Sequence, residues 1–334
     1  MDLARLAIIS QKEFSDHIRS RRLILILIIF CLILGIKAAN GVADYNESLE
    51  AYKSGTGSLV IFLPSAVEVF SEIVNAIGSE GFGLIVGLAL GFDLLSGDKE
   101  GRTLKTILSR PIYRDELING KAIGGIAALI LISATGFFIV LAVMLVLGIV
   151  PDFDELFGIG ILWIITLLFM ITAFSLALMT SVITKTSSNS LILSLAIIFL
   201  ILFVLPLGVN NIATELLIGQ PPLHSSDSFS SGMYEYQEKQ KEYYDEKNAI
   251  IDLSTSISIK EVYEDITLPI VAPSSYQISM NLRNSNDPYG SATSEKPGVW
   301  SLVSDQFGKV IIFIMWPVIF FGIAYIRFMR LDLR

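Results

Sequence analysis

The side chains that could bind a metal or act as a nucleophile are few in this sequence. The chain holds two histidines, His17 and His224, and one cysteine, Cys31, which stand far apart from one another. Zinc and haem sites need several such side chains at short spacings. We therefore expect no metal site, and a single cysteine excludes an internal disulfide bond.

Three patterns that mark common catalytic sites are missing. The sequence contains no G-x-x-x-x-G-K-[ST] loop, no H-E-x-x-H and no G-x-S-x-G. Without the first pattern the chain lacks the loop that cradles ATP phosphates, and without the others it lacks two common hydrolase sites. We predict that the chain is not an enzyme and holds no cofactor of its own.

The residues best suited to contact a partner lie in segment 96–121, SGDKEGRTLKTILSRPIYRDELINGK. Proline favours the first turn of a helix, and acidic residues stabilise that turn through the helix dipole. The segment therefore predicts a new short helix over 111–119, with an aromatic anchor and charged contacts. The residues concerned are Arg110, Pro111, Tyr113, Arg114, Asp115 and Glu116. An ordinary charged loop that fixes topology explains them equally well.

The elements that must position these residues are membrane helices. Hydrophobic residues make up 53% of the chain and charged residues 17%, against about 25% charged in soluble domains. A helix that crosses the bilayer needs about 20 mostly apolar residues. Six stretches meet this need, at 23–39, 77–95, 122–150, 156–183, 191–209 and 310–326. We predict an all-α polytopic membrane protein with six transmembrane helices.

The basic residues predict the orientation of these spans. Most Lys and Arg residues flank the spans in segments 1–22, 96–121 and 327–334, whereas loop 151–155 has none. Because basic flanks stay on the cytoplasmic side, both termini are expected in the cytoplasm of a multi-pass cell (plasma) membrane protein. The first span is expected to be a retained anchor rather than a cleaved leader. The net charge of -8 argues against a nucleic-acid partner.

Two amphipathic segments accompany the spans. Residues 1–22 set apolar residues at helical spacing among charges, which predicts an interfacial connecting helix. Residues 58–76 carry Glu68 and Glu72 opposite an apolar face. An acidic residue at the bilayer centre costs about 2.5 to 3.5 kcal/mol, so we expect an outer amphipathic helix that lies at the surface or dips in from one side.

The second predicted span carries glycines and one acidic residue. Gly83, Gly87 and Gly91 share one helical face and allow another helix to approach closely. A contact within the same bundle is favoured over a dimer contact. Asp93 lies near the cytoplasmic end of this span; a direct transport role and a structural role at the helix end are both open.

A long polar segment, 210–309, separates the last two spans. It is rich in Ser, Asn, Pro and Tyr, with helical patterns over 234–251 and 258–265. Such length without structure would be unusual. We therefore predict an extracytoplasmic subdomain, held by packing or by a partner protein.

Three pieces of the sequence carry a family resemblance. They are Gln11-Lys12-Glu13-Phe14 with Arg19-Ser20-Arg21, then Ser96-Gly97-Asp98-Lys99-Glu100 with Thr103-Leu104, then Leu108-Ser109-Arg110-Pro111 with Tyr113-Arg114 and Gly120-Lys121. The basic C-terminal end, Phe328-Met329-Arg330-Leu331-Asp332, is also similar. Together they resemble the permease subunits of ABC transporters of the type-2 export family, which includes the nitrous-oxide-reductase maturation permeases.

The resemblance implies a function and a set of partners. It makes 1–22 a connecting helix and 111–119 a coupling helix that docks on a separate P-loop ATPase subunit, which binds ATP and Mg²⁺. It implies a homodimer of permeases with two ATPase subunits in a lipid membrane. ATP-driven dimerisation of the ATPases would move the coupling helices. We therefore expect a non-catalytic permease subunit of an ATP-driven exporter.

Two departures from the family pattern matter. Glu100-Gly101-Arg102-Thr103 exchanges the glycine and arginine of the usual Glu-Arg-Gly-Thr order. Segment 210–309 is also much longer than the family's short re-entrant helices. A second function therefore stays open, that of a membrane scaffold or receptor whose outer subdomain binds an extracytoplasmic partner without transport. Co-purification of an ATPase or of an outer protein would distinguish the two functions.

Overall fold

The computed structural model describes residues 3–54, 64–109, 112–204, 214–219, 238–247, 249–250, 258–273 and 306–331. Every regular element in these ranges is helical, and no strand occurs among them. The described residues divide into two compact units, one drawn from 1–194 and 263–334 and the other from 195–262. The predicted all-α class therefore holds for the described part of the chain.

The helices follow the apolar runs of the sequence. They are α1 (Leu3–Arg19), α2 (Arg21–Ser54), α3 (Phe70–Ile77), α4 (Phe82–Gly91), α5 (Ser96–Glu100), α6 (Thr103–Leu108), α7 (Arg114–Val146), α8 (Phe153–Ile183), α9 (Ser187–Phe199), α10 (Ile259–Val271) and α11 (Phe307–Met329). A 3-10 turn, Ala66–Val69, precedes α3, and a π-helical stretch, Leu200–Val204, follows α9. A four-residue helix occupies Thr214–Leu217, and residues 238–247 are helical throughout.

Within the described ranges, four helices, α2, α7, α8 and α11, are long and apolar enough to cross a membrane. They overlap the predicted spans 23–39, 122–150, 156–183 and 310–326. Helix α9 is shorter and covers the first part of the predicted fifth span, whose end lies outside the described residues. Six crossings and the orientation of the termini stay predictions.

Helix α8 forms the centre of the bundle. Its most apolar stretch is 67% buried, against 39% for that of α7 and 22% for those of α2 and α11. Helices α4, α7 and α11 pack around it. Phe169, Met170 and Leu178 of α8 are fully buried in these contacts. The position of α8 therefore sets the positions of the helices beside it.

The contact between α4 and α8 depends on glycines. A Cβ atom at Gly87 would fall on the carbonyl oxygen of Met170, and one at Gly91 would lie 2.7 Å from the carbonyl oxygen of Phe174. Gly83 lies on the same side of α4. The glycine face singled out in the sequence thus lies against a helix of the same chain.

The second predicted span differs from a single straight helix. The segments Ala66–Ile77 and Phe82–Glu100 meet at a bend of 54°. The chain turns at Gly81, whose φ of 79° favours glycine. Helix α4 has ten residues, which is about 15 Å, or half of the hydrocarbon core. Stretch 77–95 is therefore a broken element, because its apolar run hides a glycine-containing turn.

The predicted amphipathic segment 58–76 is described from residue 64 onward. Its apolar side chains Phe70, Ile73 and Val74 are buried against other helices of the chain. On the other side, Glu72 accepts a hydrogen bond of 3.2 Å from Lys37 of α2. The described part of this segment is therefore packed into the bundle as well as being amphipathic.

Helix α7 corrects the prediction of a separate short helix over 111–119. It begins at Arg114 and continues without interruption to Val146. Arg110 and Pro111 lie outside the described residues. The helix continues past Asn119 through Gly120 and Gly124, because both glycines are held by close contact with α1. The short helices of segment 96–121 are instead α5 and α6.

Helix α1 occupies the predicted connecting segment 1–22 and packs along the first turns of α7. A Cβ atom at Gly124 would lie 3.0 Å from the carbonyl oxygen of Ser10 and 2.7 Å from Cβ of Glu13. Ser20 separates α1 from α2, and its hydroxyl accepts a hydrogen bond from the Leu23 backbone amide at 3.1 Å. The connection between α1 and the first span is therefore a defined turn.

Helix α10 comes from the long segment between the last two spans, most of which lies outside the described residues. Residues 263–271 group with the long helices. Tyr263 is fully buried, with its ring stacked 4.5 Å from that of Phe169 and its hydroxyl 3.1 Å from that of Thr166. The Ser79 hydroxyl donates to the carboxylate of Glu264. This end of α10 therefore packs beside the turn between α3 and α4.

Candidate functional site

Helix α5 is fixed to the C-terminal end of α8. The backbone amides of Leu95 and Ser96 donate to the Ser181 hydroxyl oxygen at 2.9 and 2.8 Å. The Lys99 ammonium donates to the carbonyl oxygens of Ser181 at 3.1 Å and of Thr184 at 2.9 Å, and also to that of Val182. A cation here satisfies carbonyl groups that a helix end leaves without partners.

The next residue extends this attachment to α9. The Glu100 carboxylate accepts a hydrogen bond of 3.0 Å from the backbone amide of Ser187, the first residue of α9. Negative charge at a helix N-terminus is favourable because of the helix dipole. Lys99 and Glu100 thus attach α5 to both sides of the connection between α8 and α9.

A buried ion cluster joins α5 to two further helices. The Lys121 ammonium of α7 lies 3.0 Å from a Glu13 oxygen of α1 and 2.9 Å from an Asp98 oxygen of α5. The Lys121 side chain is 5% exposed, Glu13 12% and Asp98 23%. We call these three residues the Lys121 cluster. A charge this buried is stable only with its partners in place, so the cluster fixes the relative positions of α1, α5 and α7.

Asp93 is held by an ion pair at the end of α4. Its two carboxylate oxygens lie 2.5 and 3.1 Å from the two terminal nitrogens of Arg22 at the start of α2. The Arg22 guanidinium also donates to the carbonyl of Ala89 and lies 4.8 Å above the Phe92 ring. The planar, two-pronged pairing suits arginine. In this conformation Asp93 links α4 to α2.

The residues predicted to contact a partner are placed differently from one another. Tyr113 is 65% exposed at the start of α7. Arg114 donates to the carbonyl oxygens of Met329 at 3.1 Å and Leu331 at 2.8 Å. Asp115 is half-buried. Arg114 therefore holds the end of α11, and Tyr113 offers the more accessible side chain.

Glu116 corrects a sequence-based expectation. It was expected to offer a polar contact, but its side chain is fully buried. Its carboxylate accepts from the Tyr113 backbone amide at 3.4 Å as part of a capping box. An acidic residue at this helical position stabilises the N-terminus of its own helix. Burial therefore removes Glu116 from the accessible surface of the chain.

The Lys121 cluster was missed as a site. Its three residues are separated by up to 108 positions, so spacing alone predicts no contact. A signal was nevertheless present, because each of the three pieces that carry the family resemblance contains one member: Glu13, Asp98 or Lys121. The residues that carry the resemblance therefore meet in space.

Two cavities lie near these elements. A polar cavity of about 160 Å³ is lined by Glu13, Asp16, His17, Ser20, Arg22 and Asp93. Burial lowers the pKa of His17 there, with the charge of Arg22 also lowering it and that of Glu13 opposing the shift. An apolar cavity of about 330 Å³ lies between α7 and α8, next to Phe138 and Trp163. Among the described residues, no group of three or more His, Cys, Asp or Glu side chains could hold a metal ion.

Comparison with known proteins decides the family. A sequence model described as "ABC-2 family transporter protein" matches residues 7–333. The chain belongs to the ABC-2 family of transporter proteins. Together with the four long apolar helices, this membership makes it an integral membrane protein of the ABC transporter permease kind.

Two curated relatives are similar over part of their length. The "Probable ABC transporter permease protein NosY" of Pseudomonas aeruginosa (strain PAO1) is 28% identical over 152 residues, which are 46% of this chain and 49% of the relative. The protein of the same name in Stutzerimonas stutzeri is 29% identical over 134 residues, 39% of this chain and 41% of the relative. The chain thus spans about half the length of the curated relatives that it matches.

Proposed function

We propose that this chain is the membrane-spanning permease subunit of an ATP-driven exporter and that segment 96–121 couples it to a separate ATPase subunit. One observation carries the proposal. Helix α5, only five residues long, is attached to α8 through Lys99 and to α1 and α7 through the Lys121 cluster. A displacement imposed on α5 would therefore reach three other helices.

Tyr113 supplies the proposed anchor for the ATPase. Its side chain is exposed in the first turn of the helix that carries Lys121 two turns later. Exposed aromatic residues are common anchors at protein interfaces. Arg110, Pro111 and Asp115 complete the proposed contact, whereas Arg114 supports it by holding the end of α11. Glu116 supports it by capping α7.

The proposed assembly contains two copies of the permease and two ATPase subunits in the plasma membrane, with both termini of the permease in the cytoplasm. ATP and Mg²⁺ bind to the ATPase subunits. Closure of the ATPase pair would push on α5 and on the start of α7. The attached helices α1, α7 and α8 would then change their packing, which switches the bundle between inward and outward states. The name shared by the two curated relatives supports the permease role.

The substitution Tyr113→Ala tests this proposal. The ATPase subunit is first identified by mass spectrometry after purification of the chain in mild detergent. We expect Tyr113→Ala to weaken binding of that ATPase about tenfold, because an interface anchor typically contributes more than 1 kcal/mol. Phe153→Ala is the matched control, since Phe153 is 80% exposed in the first turn of α8, on the predicted opposite side of the membrane.

Equal binding by wild type and Tyr113→Ala would contradict the placement of the anchor. A chain that never co-purifies with an ATPase, but does so with an extracytoplasmic protein, would instead support the scaffold or receptor function. Loss of binding in Phe153→Ala would show that the opposite loop takes part and would also contradict the proposal.

A further inference from the structure

The turn between α5 and α6 holds an arginine in a conformation that favours glycine. Arg102 has φ of 57° and is the one non-glycine residue with positive φ among the described residues. Its backbone amide donates to the Lys99 carbonyl at 3.1 Å. The preceding Gly101 has φ of -74°, a conformation open to any residue. Gly101 therefore lies one residue before the position whose positive φ a glycine would adopt without strain.

This arrangement is unfavourable for the backbone. The residue just after a helix often takes the left-handed conformation, and it is usually glycine because a Cβ atom crowds the carbonyl group there. Exchanging two neighbouring residues would remove the strain. The turn is also secured without Arg102, because the Thr103 hydroxyl donates to the Asp98 carboxylate at 3.0 Å. Local stability thus gives no reason for an arginine at this position.

The side chain of Arg102 also makes no polar contact within the described part of the chain. It is exposed, and no ion pair or hydrogen bond of its guanidinium occurs among the described residues. Side chains held in a strained backbone are frequently functional. An exposed guanidinium without a partner is best used in contact with an acidic group.

Two further cations are exposed on segments that interact with α5. Lys185 is exposed in the connection that Lys99 and Glu100 hold against α5. Arg327 is exposed near the end of α11, within electrostatic range of Lys99. By contrast, the acidic Asp98 is already paired with Lys121. The exposed carboxylate of Glu100 accepts a hydrogen bond from the Ser187 backbone amide. Arg102, Lys185 and Arg327 thus outnumber it, and an acidic partner surface would complement these cations.

We propose that Arg102 is a docking residue that pairs with an acidic side chain of the ATPase subunit on the exposed surface around α5. This inference rests on the proposed function, because it takes the ATPase as the partner. Arg102 is exposed in its left-handed turn, and Lys185 and Arg327 add attraction for an acidic surface. The strain is retained because the contact with the partner needs the arginine at this position.

Binding and stability measured on the same variants test the proposal. The permease is placed in nanodiscs of phosphatidylcholine, and the affinity of the purified ATPase is measured at low and high salt. We expect Arg102→Gly to raise the melting temperature by 1–3 °C, roughly the effect of relieved backbone strain, yet to weaken binding about fivefold at low salt. Arg102→Lys should retain most of the affinity, and Arg19→Ala, at an exposed cation of α1, should change neither quantity.

Each other result overturns the proposal in a distinguishable way. If Arg102→Gly raises the melting temperature and leaves binding unchanged, the arginine is merely tolerated, while a weakened Tyr113→Ala would keep the proposed function intact. If the loss appears only when anionic lipid is added to the nanodiscs, the arginine binds lipid headgroups instead. If the wild-type chain binds no ATPase, the proposed function fails together with this inference.

Discussion

The buried ammonium group of Lys121 lies within 3.0 Å of two carboxylates, which compensate its charge. Removing the ammonium would leave Glu13 and Asp98 with only the exposed Lys12, 3.7 Å from Glu13, as a counter-charge. Breaking a buried pair in this way costs about 3 to 5 kcal/mol, far more than the loss of an exposed pair. The same chain offers a direct comparison, because Lys12 pairs with Asp16 at 2.8 Å and lies 3.7 Å from Glu13 while remaining 65% exposed. Both lysines contact Glu13, and they differ in burial.

We therefore predict that Lys121→Met lowers the melting temperature of the purified protein by roughly 5–10 °C. Lys12→Met should change it by less than about 1 °C, because an exposed pair contributes little. Thermal unfolding followed by intrinsic fluorescence in detergent measures both. Equal effects of the two substitutions would show that the Lys121 cluster does not hold α1, α5 and α7 together.

At the scale of the helices, the contact between α4 and α8 is limited by backbone distance rather than by side-chain choice. Gly87 faces the Met170 carbonyl so closely that no Cβ atom fits. Membrane helices gain stability from such close approach because lipid offers no hydrophobic driving force between them. Helix α4 has ten residues, which is too short to cross the hydrocarbon core by itself. Its position therefore depends on this face.

We predict that Gly87→Ala displaces α4 and lowers the yield of monodisperse protein in size-exclusion chromatography, with a melting temperature reduced by about 5 °C or more, as expected for overpacking. Gly160→Ala in α8 is the control, because a Cβ atom there meets nothing within 4 Å. Since alanine favours helix, this control should be neutral or slightly stabilising. An unchanged Gly87→Ala protein would contradict the close contact.

The long helices could be predicted from the sequence, whereas the breaks between them could not. Hydropathy alone indicated α2, α7, α8 and α11, because each places an uninterrupted apolar run in a helix. Hydropathy placed Ile77 and α4 in one predicted span, because the apolar run 77–95 does not show that the chain turns at Gly81. The sequence also predicted a separate helix over 111–119, because a proline indicates where a helix begins but not where it ends. Tertiary contacts with α1 decide that length.

The same difference applies to the candidate site. The sequence singled out segment 96–121 and Tyr113 by charge and aromatic type, and the Tyr113 side chain is exposed, while its role as an anchor stays a prediction. It did not indicate that Glu116 is buried, because a capping acid and a surface acid look alike in sequence. It also missed the Lys121 cluster, whose members lie on three helices. Pairings between distant residues follow from packing, which local patterns do not encode.

At the scale of the whole molecule, the charge distribution predicts which ends of the helices face the cytoplasm. Lys99, Lys121 and Arg114, which hold the ends of helices together, belong to the basic flanks that predict the cytoplasmic side. The loop between α7 and α8 instead carries Asp152 and Asp154 and no basic residue. In this predicted orientation, every helix end that the proposed coupling uses lies on the side where ATP is available.

Single-cysteine labelling tests the direction of the bundle. The background is Cys31→Ser, which removes the chain's only cysteine. Asp154→Cys, Ser188→Cys and Arg330→Cys then each place a thiol at an exposed position. With a membrane-impermeant maleimide applied to intact cells or spheroplasts, we expect labelling at 154 alone, and labelling at 188 and 330 only after permeabilisation. Residue 154 lies in the first turn of α8 and residue 188 in the first turn of α9, beyond the other end of α8, so each serves as the other's control. Labelling of 188 or 330 in intact cells would reverse the topology and place the Lys121 cluster on the side that an ATPase cannot reach.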